Sequence, residues 1–123
     1  MRRASIFALV TLLACSDSLA PKDFYGVWGA EGVRLTLSAI RSHFESSCWA
    51  GDLSLPVLVD GHEFTAIGTI YHQGGTGGSE SRFVDVTGRL TGDVLHLTIE
   101  PASVGLGPYA LERGTQVSIP GCP

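Results

Sequence analysis

The sequence predicts an all-β protein: an antiparallel up-and-down meander of seven or eight strands that closes into a small barrel. Three observations carry this. First, apolar and polar residues alternate, as Val33, Leu35 and Leu37 do with Arg34, Thr36 and Ser38. That is the period of a strand with one dry and one wet face. Second, such stretches are separated by short turns of Gly and Asp. Third, almost no helical periodicity follows the first twenty residues. With no helix to cover it, the sheet must close or fold on itself to bury its apolar side. A small β-sandwich is the alternative.

In chain order, residues 24–29 read as the first strand and 30–32 as a turn. The second strand covers 33–38 and runs on to Ile40 or Arg41. Residues 44–49 read as the third strand, and Ala50-Gly51-Asp52 as a turn. Leu53, Leu55, Val57 and Val59 share one face of a fourth strand. Pro56 cannot donate to a ladder, so this strand is an edge or carries a bulge. Asp60-Gly61 is the strongest hairpin signal, since both residues tolerate positive φ.

Residues 62–72 form the fifth strand, with Phe64, Ala66, Gly68 and Ile70 on one face and Thr65, Ile67, Thr69 and Tyr71 on the other. Both faces are partly apolar, which places it centrally. Residues 73–81, rich in Gly and Ser, read as a flexible loop. The sixth strand, 82–90, puts Val84, Val86 and Leu90 on one face. Gly68 and Gly88 suggest bends of the kind barrels need at corners. Thr91-Gly92-Asp93 turns the chain. The seventh strand, 94–100, points Leu95, Leu97 and Ile99 inward and ends at Pro101. A loose connector, 104–108, leads to a short eighth strand over 109–113.

The chain of 123 residues has room for one domain after processing. Hydrophobic residues at 44% and charged residues at 16% exclude a disordered chain. Gly is 16 of 123 residues, in excess of ordinary usage and suited to turns and bends. Net charge is −4; without Arg2 and Arg3 it becomes −6, from six basic and twelve acidic residues. An acidic domain lacks the clustered Lys and Arg that nucleic acid or an anionic lipid surface requires.

Met1-Arg2-Arg3 followed by the uncharged apolar run 4–14 reads as an export signal, too short to span a bilayer. Leu12-Leu13-Ala14-Cys15 then resembles a bacterial lipobox. The resemblance implies cleavage before Cys15 and lipidation at that residue, and Ser16 in the next position is similar to proteins sorted to the outer membrane. The expected organisation is therefore a signal peptide over 1–14, a lipidated tether over 15–23 and a barrel domain over 24–123, held to the membrane of the cell envelope through Cys15. The alternative is an ordinary secretory signal cut after Ala20 and a secreted or periplasmic protein. The lipobox consumes Cys15 and leaves Cys48 and Cys122 as an even pair, expected as a disulfide in an oxidising compartment. Two free thiols and a metal pair are the other readings.

Gly26-Val27-Trp28 resembles the Gly-x-Trp that opens lipocalins and related calycin barrels. The resemblance implies that Trp28 packs across the closed end of the barrel. The chain is shorter than a typical lipocalin and lacks its C-terminal helix.

No stretch carries a catalytic motif. His43 and Glu45 lie two apart on one strand face, as two metal ligands would, but no third ligand follows at a telling spacing. His62, His72 and His96 read as surface residues. The glycines of 74–79 lack the Lys and the helix of a phosphate loop. Ser79, His72 and Asp85 can be assembled into a triad only on paper, since nothing like a nucleophile elbow surrounds Ser79. No catalytic residue, metal or cofactor is expected. Candidate pocket or rim residues are Trp49, Phe64, Tyr71, Val84, Leu95, Leu97 and Tyr109. The expected function is a non-catalytic envelope binding module for a small apolar ligand or an envelope protein. The alternative is a protein–protein module, such as a periplasmic enzyme inhibitor or an assembly accessory.

Overall fold

The structure, a computed structural model, describes residues 18–54, 57–73 and 80–122. The export signal, Cys15, Leu55, Pro56 and the glycine-rich run 74–79 lie outside the described residues. A 3-10 turn over Pro21–Phe24 precedes nine strands: β1 Gly26–Ala30, β2 Val33–Leu37, β3 His43–Ser46, β4 Trp49–Leu53, β5 Leu58–Asp60, β6 Glu63–His72, β7 Ser81–Thr91, β8 Val94–Glu100 and β9 Tyr109–Arg113. Every pairing is antiparallel, and the ring runs β1-β2-β3-β4-β6-β7-β8-β9 and back to β1. The sheet therefore closes into a barrel rather than splitting into a sandwich.

β4 and β5 share one side of β6. β4 meets its second half, with Leu53 opposite Gly68, and β5 its first half, with Leu58 opposite Thr65. The two are one wall interrupted around residues 54–57, so eight walls enclose the core. The antiparallel order places the starts of β1, β3, β6 and β8 at one end, here called the lower end.

Alternation decides what fills the interior. Val33, Leu35 and Leu37 of β2, Phe64 and Ile70 of β6, Val84 and Val86 of β7, Leu95, Leu97 and Ile99 of β8 and Leu111 of β9 all point inward and are buried in one cluster. The lower end is plugged by the N-terminal turn, not left open. Phe24 is fully buried, and its ring meets Phe64 edge-on with centroids 5.2 Å apart. Trp28, also fully buried, donates its indole N–H to the Phe24 carbonyl at 2.9 Å. A second 3-10 turn, Ala102–Val104, brings Val104 into the core from the β8–β9 connection.

Several boundaries differ from the sequence reading, and Leu53 and Val59, read as one fourth strand, fall in β4 and β5. Phe24 belongs to the plug, and the first strand starts at Gly26. Residues 18–23, read as tether, pack on the barrel: Leu19 N–H donates to the Gly61 carbonyl at 2.9 Å. β2 stops at Leu37 because the Ser38 hydroxyl turns the chain, donating to the Arg41 carbonyl at 2.6 Å and accepting from Arg41 N–H at 2.9 Å. Ala50-Gly51-Asp52 is strand, not turn. The turn falls at Ser47-Cys48, bracketed by hydrogen bonds between the Ser46 hydroxyl and the Trp49 backbone.

Gly51 is there for close approach. A Cβ on it would run into the Thr69 carbonyl and the Ile70 backbone of the facing β6. Gly88 instead makes room for the Phe64 ring on the paired strand. Overpacking a core costs about 1–3 kcal/mol, so Gly51→Ala and Gly88→Ala are both expected to lower stability by roughly that amount in urea denaturation. Because the obstacle at Gly88 is a side chain, Phe64→Leu combined with Gly88→Ala should cost less than the two separate losses added together. No side-chain truncation should relieve Gly51→Ala, where the obstacle is backbone.

Candidate functional site

The interior offers no site at the residues the sequence nominated. Phe64, Val84, Leu95 and Leu97, read as candidate pocket lining, are 0–2% exposed and belong to the packed core. Four grooves among the described residues are lined by other side chains.

The three aromatic candidates separate. Tyr109 leans on Phe44 with ring centroids 6.2 Å apart, and burial raises its phenol above the ordinary value. Trp49 is half-buried against the core, and its ring edge meets His72 at 5.0 Å. Tyr71 points outward and donates to Asp52 at 3.3 Å.

Asp52 is the centre of a small polar cluster on the outer wall. The β3–β4 register sets it opposite His43, whose Nδ1 lies 3.0 Å from the carboxylate, and Arg41 approaches at 3.7 Å. The His43 hydrogen bond, aided by the charges of His43 and Arg41, holds the Asp52 carboxyl below its ordinary value of 3.8 despite some burial. Glu45, two residues from His43, is instead engaged by Arg34 at 2.8 Å. His43 and Glu45 thus share a face but serve different partners, and neither belongs to a converging metal-ligand group among the described residues.

The outer wall carries two larger grooves. One, about 770 Å³, lies between β1–β2 and the C-terminal segment, lined by Val27, Arg34, Thr36, Arg113 and Val117 among others. That segment is a strap without strand pairing. It leaves β9 at the lower end, where Gly114 N–H donates to the Val27 carbonyl at 2.6 Å, and crosses β1 with Val117 seated against Gly29. It ends in a disulfide between Cys122 and Cys48 of the β3–β4 turn, with Cα atoms 4.7 Å apart.

The other groove, about 460 Å³, sits at the interruption between β4 and β5, lined by Ser54, Leu58, Ile67 and Asp85 among others. Beside it runs a stripe of exposed apolar side chains: Leu58 at 67%, Ile67 at 58% and Phe83 at 80% exposure. Leu58 lies opposite Thr65 and Phe83 opposite Thr69, so both are diagonal neighbours of Ile67 on the outward face. The sequence reading missed this stripe. Its signal was there: Leu58, Ile67 and Phe83 are apolar residues out of phase with the inward alternation.

No protein-family model, no curated protein and no solved structure matches this chain. The class that fold and geometry define is a small closed antiparallel β-barrel with a filled interior and a disulfide-held C-terminal strap.

Two outcomes follow from this geometry. The disulfide joins residues 74 apart in sequence, and closing such a loop is worth about 4 kcal/mol in the chain-entropy account. The double variant Cys48→Ser, Cys122→Ser is expected to lose about that much stability in urea denaturation, with the strap becoming the first segment cut by a protease. Asp52 titrates lower in the folded than in the unfolded chain, so its stabilising effect is complete above the ordinary carboxylate pKa. It is lost as pH falls below that value and through the lowered native one. The cluster is solvent-exposed, so the effect stays below about 1 kcal/mol. Asp52→Asn should flatten that part of the stability–pH curve, losing up to that amount at neutral pH and little at acid pH.

Proposed function

We propose that this chain is a lipid-anchored, non-catalytic binding module of the cell envelope that engages a protein partner through its outer wall. The observation that carries the reading is where the apolar surface lies. The interior positions that would line a ligand cavity are filled by packed side chains, while Leu58, Ile67 and Phe83 stand exposed in one stripe. Large exposed apolar side chains grouped on one face mark interaction sites. Envelope placement rests on the export signal and the lipobox at Cys15, together with a disulfide suited to an oxidising compartment. The polar groups of the wall are engaged with one another, as in the Asp52 cluster and the Arg34–Glu45 pair, which favours binding over catalysis.

Two measurements test the reading. In the native host, wild type is expected in the membrane fraction and Cys15→Ser in the soluble fraction; a variant as firmly bound as wild type defeats the anchoring part. Native mass spectrometry of the chain from Ser16 onward, made in an oxidising compartment, should give the bare mass less two hydrogens. A stoichiometric extra mass would replace the protein partner with a small apolar ligand.

A further inference from the structure

We propose that Cys48, Cys122 and His72 form a redox-gated site for a thiophilic cation. The site is closed while the disulfide stands, and after reduction it holds Zn²⁺, or a cation of similar chemistry, through two thiolates and one imidazole. This goes beyond the binding function and does not depend on lipidation.

The sulfur atoms and an imidazole nitrogen of His72 all lie within 4.8 Å of one another, and all three residues are partly buried. Two of the three are fixed by the barrel. Trp49 pairs with His72 in the β4–β6 register, and its ring edge orients the imidazole from 5.0 Å. The His72 backbone N–H donates to the Glu80 carbonyl at 2.9 Å. Cys48 is tied to the same place, since its carbonyl accepts from Gln73 N–H at 2.7 Å. Cys122 arrives on the strap, whose Val117 side chain lies against Gly29 of β1.

The cation needs little rearrangement. Zinc–sulfur bonds of about 2.3 Å and zinc–nitrogen bonds of about 2.0 Å put tetrahedral ligand atoms roughly 3.5–3.8 Å apart. Two sulfurs released from a disulfide separate to about that spacing, by side-chain rotation alone. Sulfur and imidazole donors select Zn²⁺, Cd²⁺ or Cu⁺ over Mg²⁺ and Ca²⁺. Three protein ligands leave a fourth position for water.

The redox step balances with a dithiol as reductant. The dithiol gives two electrons and two protons, becoming a disulfide itself, and Cys48 and Cys122 become thiols. Binding a divalent cation then releases the two thiol protons. The bound cation would staple the strap to the β3–β4 turn in place of the sulfur–sulfur bond.

The test uses the processed chain, reduced with a dithiol and freed of reductant and metal without air. Cd²⁺ is followed by thiolate-to-metal absorbance, and Zn²⁺ by thermal unfolding. The reduced protein is expected to bind one Cd²⁺ and the oxidised protein none. Zn²⁺ should raise the Tm of the reduced protein and leave that of the oxidised protein unchanged. His72→Gln should weaken Cd²⁺ binding at least about tenfold and abolish the rise in Tm. Binding that His72→Gln does not alter would mean an unstructured dithiol and would overturn the site. So would the absence of saturable binding, an equal rise in Tm for the Cys48→Ser, Cys122→Ser variant, or a reduced chain that unfolds and is not refolded by Zn²⁺.

Discussion

Arg113 spans the shortest seam of the barrel, and the closed shape depends on it. β9 meets β1 over two residue pairs, Trp28 with Arg113 and Gly29 with Glu112, whereas β6 and β7 pair over nine. A ladder that short would fray in water. The Arg113 guanidinium lies over the Trp28 ring, 4.2 Å from its centroid, and donates to the carbonyls of Tyr25 and Asp23 at 2.9 Å each. Trp28 in turn donates to the Phe24 carbonyl. One planar cation thus joins the last strand, the first strand and the N-terminal plug. Lysine, a point charge without the flat fork, would not make the same three contacts.

What the seam lacks in length, the segments just before β1 and just after β9 supply. The N-terminal turn enters the lower mouth with Phe24, and the C-terminal strap climbs the outside to Cys48. The strap can lie close because position 29 is glycine: a Cβ there would meet the Thr115 carbonyl at 2.8 Å and Val117 at 3.1 Å. The disulfide then fixes the strap's far end to the opposite mouth. Residues 21–24 and 114–122 therefore act as structural parts of the barrel.

The sequence made β6 through β9 legible, because their signals are local. Period-two alternation marked Leu95, Leu97 and Ile99 as inward, Gly92-Asp93 is the turn found, and the hairpin expected at Asp60-Gly61 turns one residue later, at Gly61-His62. The errors lie where the deciding contact is distant in the chain. Gly51 looks like a turn glycine until β6 is brought against it. Phe24 reads as the start of a strand until the open mouth of the barrel needs a plug. Ser46 and Ser47, both small, gave no register for the end of β3. Leu95 and Leu97, read as inward, are buried, but alternation cannot say whether an inward face encloses a cavity. That depends on the bulk of Trp28, Phe24, Phe44 and Phe64 meeting from four separate segments.

In the proposed reading a filled barrel binds with its outside, and this sets how its energy is spent. Side chains such as Phe83 and Ile67 are rigid anchors whose burial against a partner contributes about 25 cal/mol per Å² removed from water. Held on a paired ladder rather than a loop, they lose little conformational freedom on binding. Asp85, opposite Ile67, sets a charge beside this apolar stripe, so a partner must offer both an apolar groove and a donor to avoid stranding the carboxylate. A bilayer interior fails that second requirement, whereas a protein surface with one Arg or Lys beside the groove meets it. The chemistry of the stripe thus argues for a protein as its occupant in the proposed reading.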